Sequence, residues 1–309
     1  MKLGTEYQHS VMGATGSGKT SFVNMASRSS LRIGTGLESC TAEVQLTNEF
    51  TLDGQPVILI DTPGFDDTDK SDTDILNLIA AFLATAYKAG SKLAGVIYIH
   101  RISDLRFTGI AKRNFKMFRE LCGDSTLKNV ILVTNMWGMV TKDVGEDRER
   151  ELTTKFFKPV LDKGAQLARH HNTAESARNI IRGIMKNHPM VLQIQRELVD
   201  DHKDITDTAA GEAINKELKE QIRRHQAELK TVQEDMLKAL KDKDEEARQE
   251  LEEERQKLQE QVNKARMESE NMASNYQKRM EEEMRQMQER INQLQHQWDN
   301  RPFGGCLVM

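Results

Sequence analysis

The sequence predicts an α/β domain built on a mostly parallel, doubly wound sheet, followed by a long α-helical coiled-coil region. Three observations carry this. Short apolar runs alternate with segments of helical periodicity through the first part of the chain. A glycine-rich turn closes the first of those runs and opens a helical pattern. Composition then changes near residue 210: four of the five prolines lie before it, and a stretch rich in Glu, Gln, Lys, Arg and Met follows with no proline until Pro302.

Taken in order, the candidate strands are 8–12, 42–50, 56–61, 93–100, 129–134 and 165–169. Each is a short run rich in β-branched or other apolar residues. Asp53-Gly54, between the second and third, reads as a tight hairpin turn. The candidate helices are 19–27, 73–87, 110–122, 147–157 and 174–187. A sheet of this kind binds ligands beyond the carboxyl ends of its strands. The expected divisions are a first domain over 1–200, a linker over 201–211, a long helix over 212–299 and a flexible tail over 300–309. Within the helix, apolar residues recur at Leu229, Val232 and Met236, at Leu258, Val262 and Ala265, and at Met284, Met287, Ile291, Leu294 and Trp298. Steps of three and four are the heptad pattern, although Glu254 and Ser269 interrupt the seam. Drawn as one rod from about residue 210 to 298, this helix would be about 130 Å long. A solvated charged helix, or one folded back on the first domain, remains the alternative.

Bulk properties narrow the classes. The 309 residues carry a net charge of −4, which leaves no electrostatic footprint for nucleic acid. No apolar run approaches the roughly 20 residues that span a bilayer, and the first ten residues lack the apolar core of a secretory signal. Three widely spaced cysteines, Cys40, Cys122 and Cys306, make neither a disulfide framework nor a zinc site. Free thiols suit a reducing, cytoplasmic setting.

The chemistry begins at Gly13-Ala14-Thr15-Gly16-Ser17-Gly18-Lys19-Thr20, which fits G-x-x-x-x-G-K-[ST] at every fixed position. The glycines let the backbone wrap so that successive N–H groups point at phosphate oxygens. The helix that follows, through Ser21, aims its positive end at the same anion. Lys19 is expected on the terminal phosphates and the Thr20 hydroxyl on Mg²⁺. A second motif, Asp61-Thr62-Pro63-Gly64, follows the apolar run 57–60. Asp61 there can hold Mg²⁺ through water, and the Gly64 N–H can sense a γ-phosphate. Between the motifs, Leu37-Glu38-Ser39-Cys40-Thr41 offers a hydroxyl that binds Mg²⁺ only in the triphosphate state; Thr41 is preferred over Ser39 and Thr35. A plain polar loop is the alternative there.

These residues together resemble the septin-like branch of P-loop GTPases. The nearest likeness is to the GIMAP (immunity-associated) family, its plant relatives at the chloroplast envelope, and fungal G-domain proteins. It covers roughly the first 190 residues. The resemblance implies a P-loop NTPase G domain that binds GTP with Mg²⁺ and hydrolyses it slowly. It also implies a homodimer through the nucleotide face, to which the coiled coil could add. In GIMAP-type proteins an arginine just past the fourth main strand is given to the partner domain. Arg101, with Arg106 as a second choice, sits at the matching place.

The chain also departs from the pattern. The base-reading segment should be [NT]-K-x-D; here it is Thr134-Asn135-Met136-Trp137-Gly138, without lysine or carboxylate. Trp137 is expected either to stack on a base or to close the sheet edge, and Asp143 lies too far along to substitute. Asn172 matches the last base-contacting position only loosely. Guanine specificity therefore rests on the resemblance, and an ATPase is one alternative. Phe65 stands where Ras-like proteins place the water-orienting Gln, so a non-hydrolysing GTP-dependent scaffold is another. The last four residues, Cys306-Leu307-Val308-Met309, fit a C-a-a-X box, which predicts farnesylation of Cys306. One prenyl chain anchors only marginally. Two, at one end of a parallel dimer, would hold the protein on the cytosolic face of a membrane.

Overall fold

The computed structural model describes residues 7–32, 43–67, 70–107, 109–242 and 245–299. The preferred Mg²⁺ hydroxyl, Thr41, and the lipidation residue, Cys306, lie outside these residues.

Among the described residues, seven strands form one sheet: β1 (Tyr7–Gly13), β2 (Gln45–Leu46), β3 (Phe50–Leu52), β4 (Gln55–Asp61), β5 (Leu93–Arg101), β6 (Val130–Asn135) and β7 (Gln166–Arg169). Their order is β2-β4-β1-β5-β6-β7, with β3 also paired to β4. The pairs among β1, β4, β5, β6 and β7 are parallel; β2 and β3 run antiparallel to β4. β6 is buried along its whole length and β5 along all but Arg101, as expected of parallel strands covered on both faces. Alternation sorts their side chains: Val11, Ile97 and Ile99 face one core, while Met12, Val96 and Tyr98 face the other.

The expected strand over 42–50 is two short pieces. Thr47 explains the break: its N–H donates to the Leu59 carbonyl while its hydroxyl accepts from the Leu59 N–H at 3.0 Å, in place of a ladder carbonyl. The hairpin at Asp53-Gly54 has positive φ at both residues, 50° and 79°, the geometry that asparagine, aspartate and glycine tolerate best.

Helices α1 (Lys19–Ser27) and α6 (Ala174–Met185) cover one face of the sheet; α2 (Asp72–Lys88) and α3 (Gly109–Cys122) cover the other. α2 starts at a reciprocal capping box between Ser71 and Asp74. α4 (Lys142–Glu151) begins earlier than the expected 147 and widens into a π-helical stretch over Leu152–Phe156 before the short α5 (Lys158–Leu161). A short α7 (Gln193–Gln195), unforeseen in the sequence, likewise widens over Arg196–Asp200.

The single rod is where expectation and structure part. The chain makes two helices, α8 (Ala209–Asp242) and α9 (Glu245–Asp299). They pack as an antiparallel hairpin: the Ser269 hydroxyl donates to Asn215 at 2.9 Å, linking the base of α8 to the middle of α9. Part of the heptad seam lies inside the hairpin, where Val232, Leu258, Val262 and Ala265 are buried, while Met284 is 53% exposed. Ser269, an interruption of the seam in sequence, is a polar contact between the arms. The hairpin lies back on the sheet domain through α2 and α3. The Asn77 amide donates to the Met272 carbonyl at 3.2 Å, and Met272, Ile214 and Leu218 join the core under α2 and α3. Folding back gives the apolar stripe a partner already tethered to it, at far smaller entropic cost than recruiting a second chain.

Candidate functional site

β1 ends at Gly13, whose φ of +145° and contact with the next strand leave no room for a side chain: a Cβ there would lie 2.4 Å from the Ile99 carbonyl oxygen. The loop then turns through Gly16 (φ +73°) and Gly18 (φ +91°) into α1. α1 has no side-chain cap and no acidic residue in its first turn. Its leading N–H groups therefore present an uncompensated positive end. Two strand ends brace the loop. The Asn135 amide donates to the Ser17 carbonyl at 2.9 Å and fills the space a Cβ on Gly18 would need. Arg101, paired with Asn135 in the β5–β6 register, reaches the neighbouring loop residue: its Nη1 lies 3.2 Å from where a Cβ on Gly16 would stand. Its Nε is ion-paired with Asp104 at 2.9 Å.

Lys19 is buried, and its ammonium donates to the Ala14 carbonyl across the loop at 3.0 Å. Burial drives its pKa down to about 8; Asp61 and Asp67 pull it up, and Arg101 pushes it further down. The Thr20 hydroxyl donates to Asp61 Oδ2 at 2.6 Å. Asp61 is fully buried, and its Oδ1 finds no hydrogen-bond partner among the described residues. Burial raises its pKa, against the opposing pull of the Thr20 hydrogen bond and Lys19. A carboxylate that is desolvated, half-satisfied and beside a hydroxyl is the environment a small divalent cation would relieve.

The Asp61-Thr62-Pro63-Gly64 segment lies directly on the loop. Thr15 N–H donates to the Phe65 carbonyl at 2.8 Å, and Phe65 N–H to the Gly13 carbonyl at 3.3 Å. A Cβ on Gly64 would fall 2.6 Å from the Thr15 backbone nitrogen. Phe65 is wholly buried in the core with Ile75 and Ile79 of α2, so it faces away from the phosphate loop. The segment expected to read the γ-phosphate is thus zipped to the loop on one side and anchored in the α2 core on the other.

Of the expected site residues, the structure brings together Gly13 to Ser21, Asp61, Gly64, Arg101 and Asn135. Thr134 is spent elsewhere, since its hydroxyl donates to Glu149 and the Trp137 indole N–H is used on Thr134. Arg169 covers the Trp137 ring at 4.2 Å and pairs with Glu149. Gly145 abuts the six-membered ring of Trp137. These contacts support the edge-closing role for Trp137 over base stacking. Asn172 sits exposed in a left-handed turn (φ 55°) after β7, at the carboxyl ends of the strands. Asp104 was not foreseen; an acid three residues after Arg101 is the signal that could have found it.

Parts of this chain are similar to known proteins. Residues 8–136 match the family described as 50S ribosome-binding GTPase. GTP-binding protein A of Dictyostelium discoideum is 27% identical over 133 residues, which is 43% of this chain. The match spans 28% of that protein's length. Toc33 of Arabidopsis thaliana, as a dimerisation-deficient mutant, is 15% identical over 58% of this chain and 83% of its own, with a TM-score of 0.48. Toc33 in complex with Mg²⁺ and GMPPNP is 16% identical over the same shares, with a TM-score of 0.47. The first domain is an α/β domain carrying a phosphate-loop motif, followed by two long helices.

Proposed function

We propose that this chain is a GTP-binding switch that hydrolyses GTP slowly with the help of Mg²⁺. The observation that carries the reading is the meeting, at one strand end, of Lys19, the uncapped start of α1 and the Thr20–Asp61 pair, with Gly64 and Phe65 zipped onto the same loop. Guanine is favoured by the match of residues 8–136 to a GTPase family.

Thr20 and Asp61 would hold Mg²⁺, which supplies neutralisation of phosphate charge when bound. Lys19 and the first N–H groups of α1 bind and orient the polyphosphate. Gly64, hard against Thr15, reports on whether a terminal phosphate fills the space above the loop. A γ-phosphate that takes the Thr15 N–H must loosen its bond to Phe65, and Phe65 carries that change into the α2 core. Since Phe65 is buried, it orients no water, in keeping with slow turnover.

The test is binding of fluorescent GTP and ATP analogues, with and without Mg²⁺, followed by multiple-turnover phosphate release. Tight, Mg²⁺-dependent GTP binding with slow release is expected. Preference for ATP would favour the ATPase alternative, in keeping with Gly138 at the base-reading position; binding without turnover would favour the scaffold. A second reading concerns assembly. Leu105 and Met139, 85% and 76% exposed, stand on the loops after β5 and β6 at the phosphate end. They make this face a surface for a second copy of the chain. A mass that stays monomeric with a non-hydrolysable GTP analogue would remove that reading.

A further inference from the structure

We infer that Arg101 serves the nucleotide bound by its own chain, so that it stimulates hydrolysis in cis, and that Asp104 is the residue that positions it. The inference rests on the GTPase reading above and gives it a specific charge-neutralising group.

The argument is geometric. Arg101 and Asn135 are register partners at the ends of adjacent parallel strands. Adjacent strand ends reach adjacent points of the loop: Asn135 bonds Ser17, and the Arg101 guanidinium rests against Gly16. Gly16 has no side chain, and a Cβ there would already press on Nη1 at 3.2 Å. Lys19 is close enough that the two cations repel. Two cations held at one loop, beside the uncapped amide hydrogens of α1, define a place for a polyphosphate anion. The Asp104 carboxylate is ion-paired with Nε at 2.9 Å, by charge and without hydrogen-bond alignment, on the inner edge of the guanidinium. Nη1 stays against Gly16 of the loop, where a guanidinium can address phosphate oxygens. Delivery to a partner's active site would require Arg101 to leave both Gly16 and Asp104.

In the step this serves, a water oxygen forms a bond to the γ-phosphorus while the bond from phosphorus to the β–γ bridging oxygen breaks. The leaving electron pair stays on the β-phosphate of GDP, and the water's protons go to the inorganic phosphate and the medium. Negative charge grows on the bridging oxygen, and a guanidinium beside it lowers the barrier. An arginine supplied in cis is a known solution for this chemistry.

The experiment is single-turnover hydrolysis of preloaded GTP by the full chain, over a 100-fold range of protein concentration. Action in cis predicts a rate constant independent of concentration. Arg101→Ala is expected to lose roughly 10²-fold in rate with GTP affinity changed less than about threefold. Arg101→Lys, which keeps the charge without the fork, is expected to lose more than about 10-fold, and serves if the alanine variant folds poorly. Asp104→Asn is expected to lower the rate several-fold without altering GTP affinity. The deciding arm mixes GTP-loaded Arg101→Ala with excess Lys19→Ala chain, which retains Arg101 but lacks the phosphate lysine. Action in cis predicts no recovery. Recovery by the mixed chain, a rate that climbs with concentration, or an Arg101→Ala rate equal to wild type overturns the inference while GTP binding stands. Failure of the wild-type chain to bind any purine triphosphate overturns the GTPase reading beneath it as well.

Discussion

The phosphate end of the sheet and the α8–α9 hairpin handle polar groups in opposite ways. At the phosphate end, Lys19 and Asp61 are buried side chains held by few bonds, and Asp61 Oδ1 and Ser17 Oγ find no partner among the described residues. In the hairpin, the charged residues stay at the surface, as in the Arg248–Glu245 and Arg255–Glu252 pairs, and the buried positions are aliphatic. Buried, half-satisfied charge is costly unless a ligand completes it. The first region therefore holds polar groups that a ligand would satisfy, while the buried positions of the second are apolar. The contrast teaches that stability and binding should respond to different substitutions.

The largest expected effect is at Lys19. Lys19→Ala removes the ammonium proposed to bind the polyphosphate and should weaken GTP binding by at least about 10²-fold, read by fluorescent-nucleotide titration. Its urea midpoint should fall little, because the buried charge goes with it. Met272→Ala is the reverse case. Met272 is fully buried between the hairpin and the α2 core, so its truncation should cost about 2–4 kcal/mol in urea unfolding and leave GTP affinity within about twofold. An unchanged midpoint would mean that the hairpin does not dock in solution.

Acid separates the two regions next. Burial lowers the pKa of His9 to about 3 and of His100 to about 4, from 6.5. Both lie on strands of the central sheet. A depressed folded pKa means the unfolded chain takes up protons first, so stability is complete above about pH 6.5 and is lost as pH falls toward about 4 for His100 and about 3 for His9. By pH 5 the loss should approach about 2 kcal/mol for each imidazole. Denaturant midpoints at pH 7 and 5 check this, and His100→Gln should flatten the dependence. The smallest effect is at Ser269→Ala, which leaves Asn215 without its donor and should cost about 1 kcal/mol. A double change with Asn215→Ala should cost less than the sum of the two singles.

The same division governs what the sequence could reveal. The glycine loop was legible because its signal is local: glycine spacing, one lysine and one hydroxyl fall within eight residues, between β1 and α1. The Thr20–Asp61 pair followed from strand order, since β1 and β4 are neighbours with matching register. The hairpin was not legible, because a heptad stripe states what a helix buries and is silent on whether the partner is another chain or its own continuation. α8 ends at Asp242 and α9 starts at Glu245, within a charged stretch without the Gly or Pro that usually marks a turn. Arg101 was located by its place at the end of β5, but the direction it faces depends on Asp104 and Gly16, contacts set by three-dimensional register. The role of Trp137 stayed open for the same reason; Arg169 and Gly145 are 32 and 8 residues away.

The root of α8 has a mechanical consequence. Glu197, buried, accepts the Ala209 N–H at 3.1 Å and pairs with Lys203, clamping the first turn of the hairpin to the sheet domain. From that clamp α8 extends 34 residues, about 50 Å. A lever of that length turns a tilt of about 5° at its root into about 4 Å at its far end. Sub-ångström rearrangements under α2 would thus be geared up to displacements the size of a side chain, delivered well clear of the nucleotide.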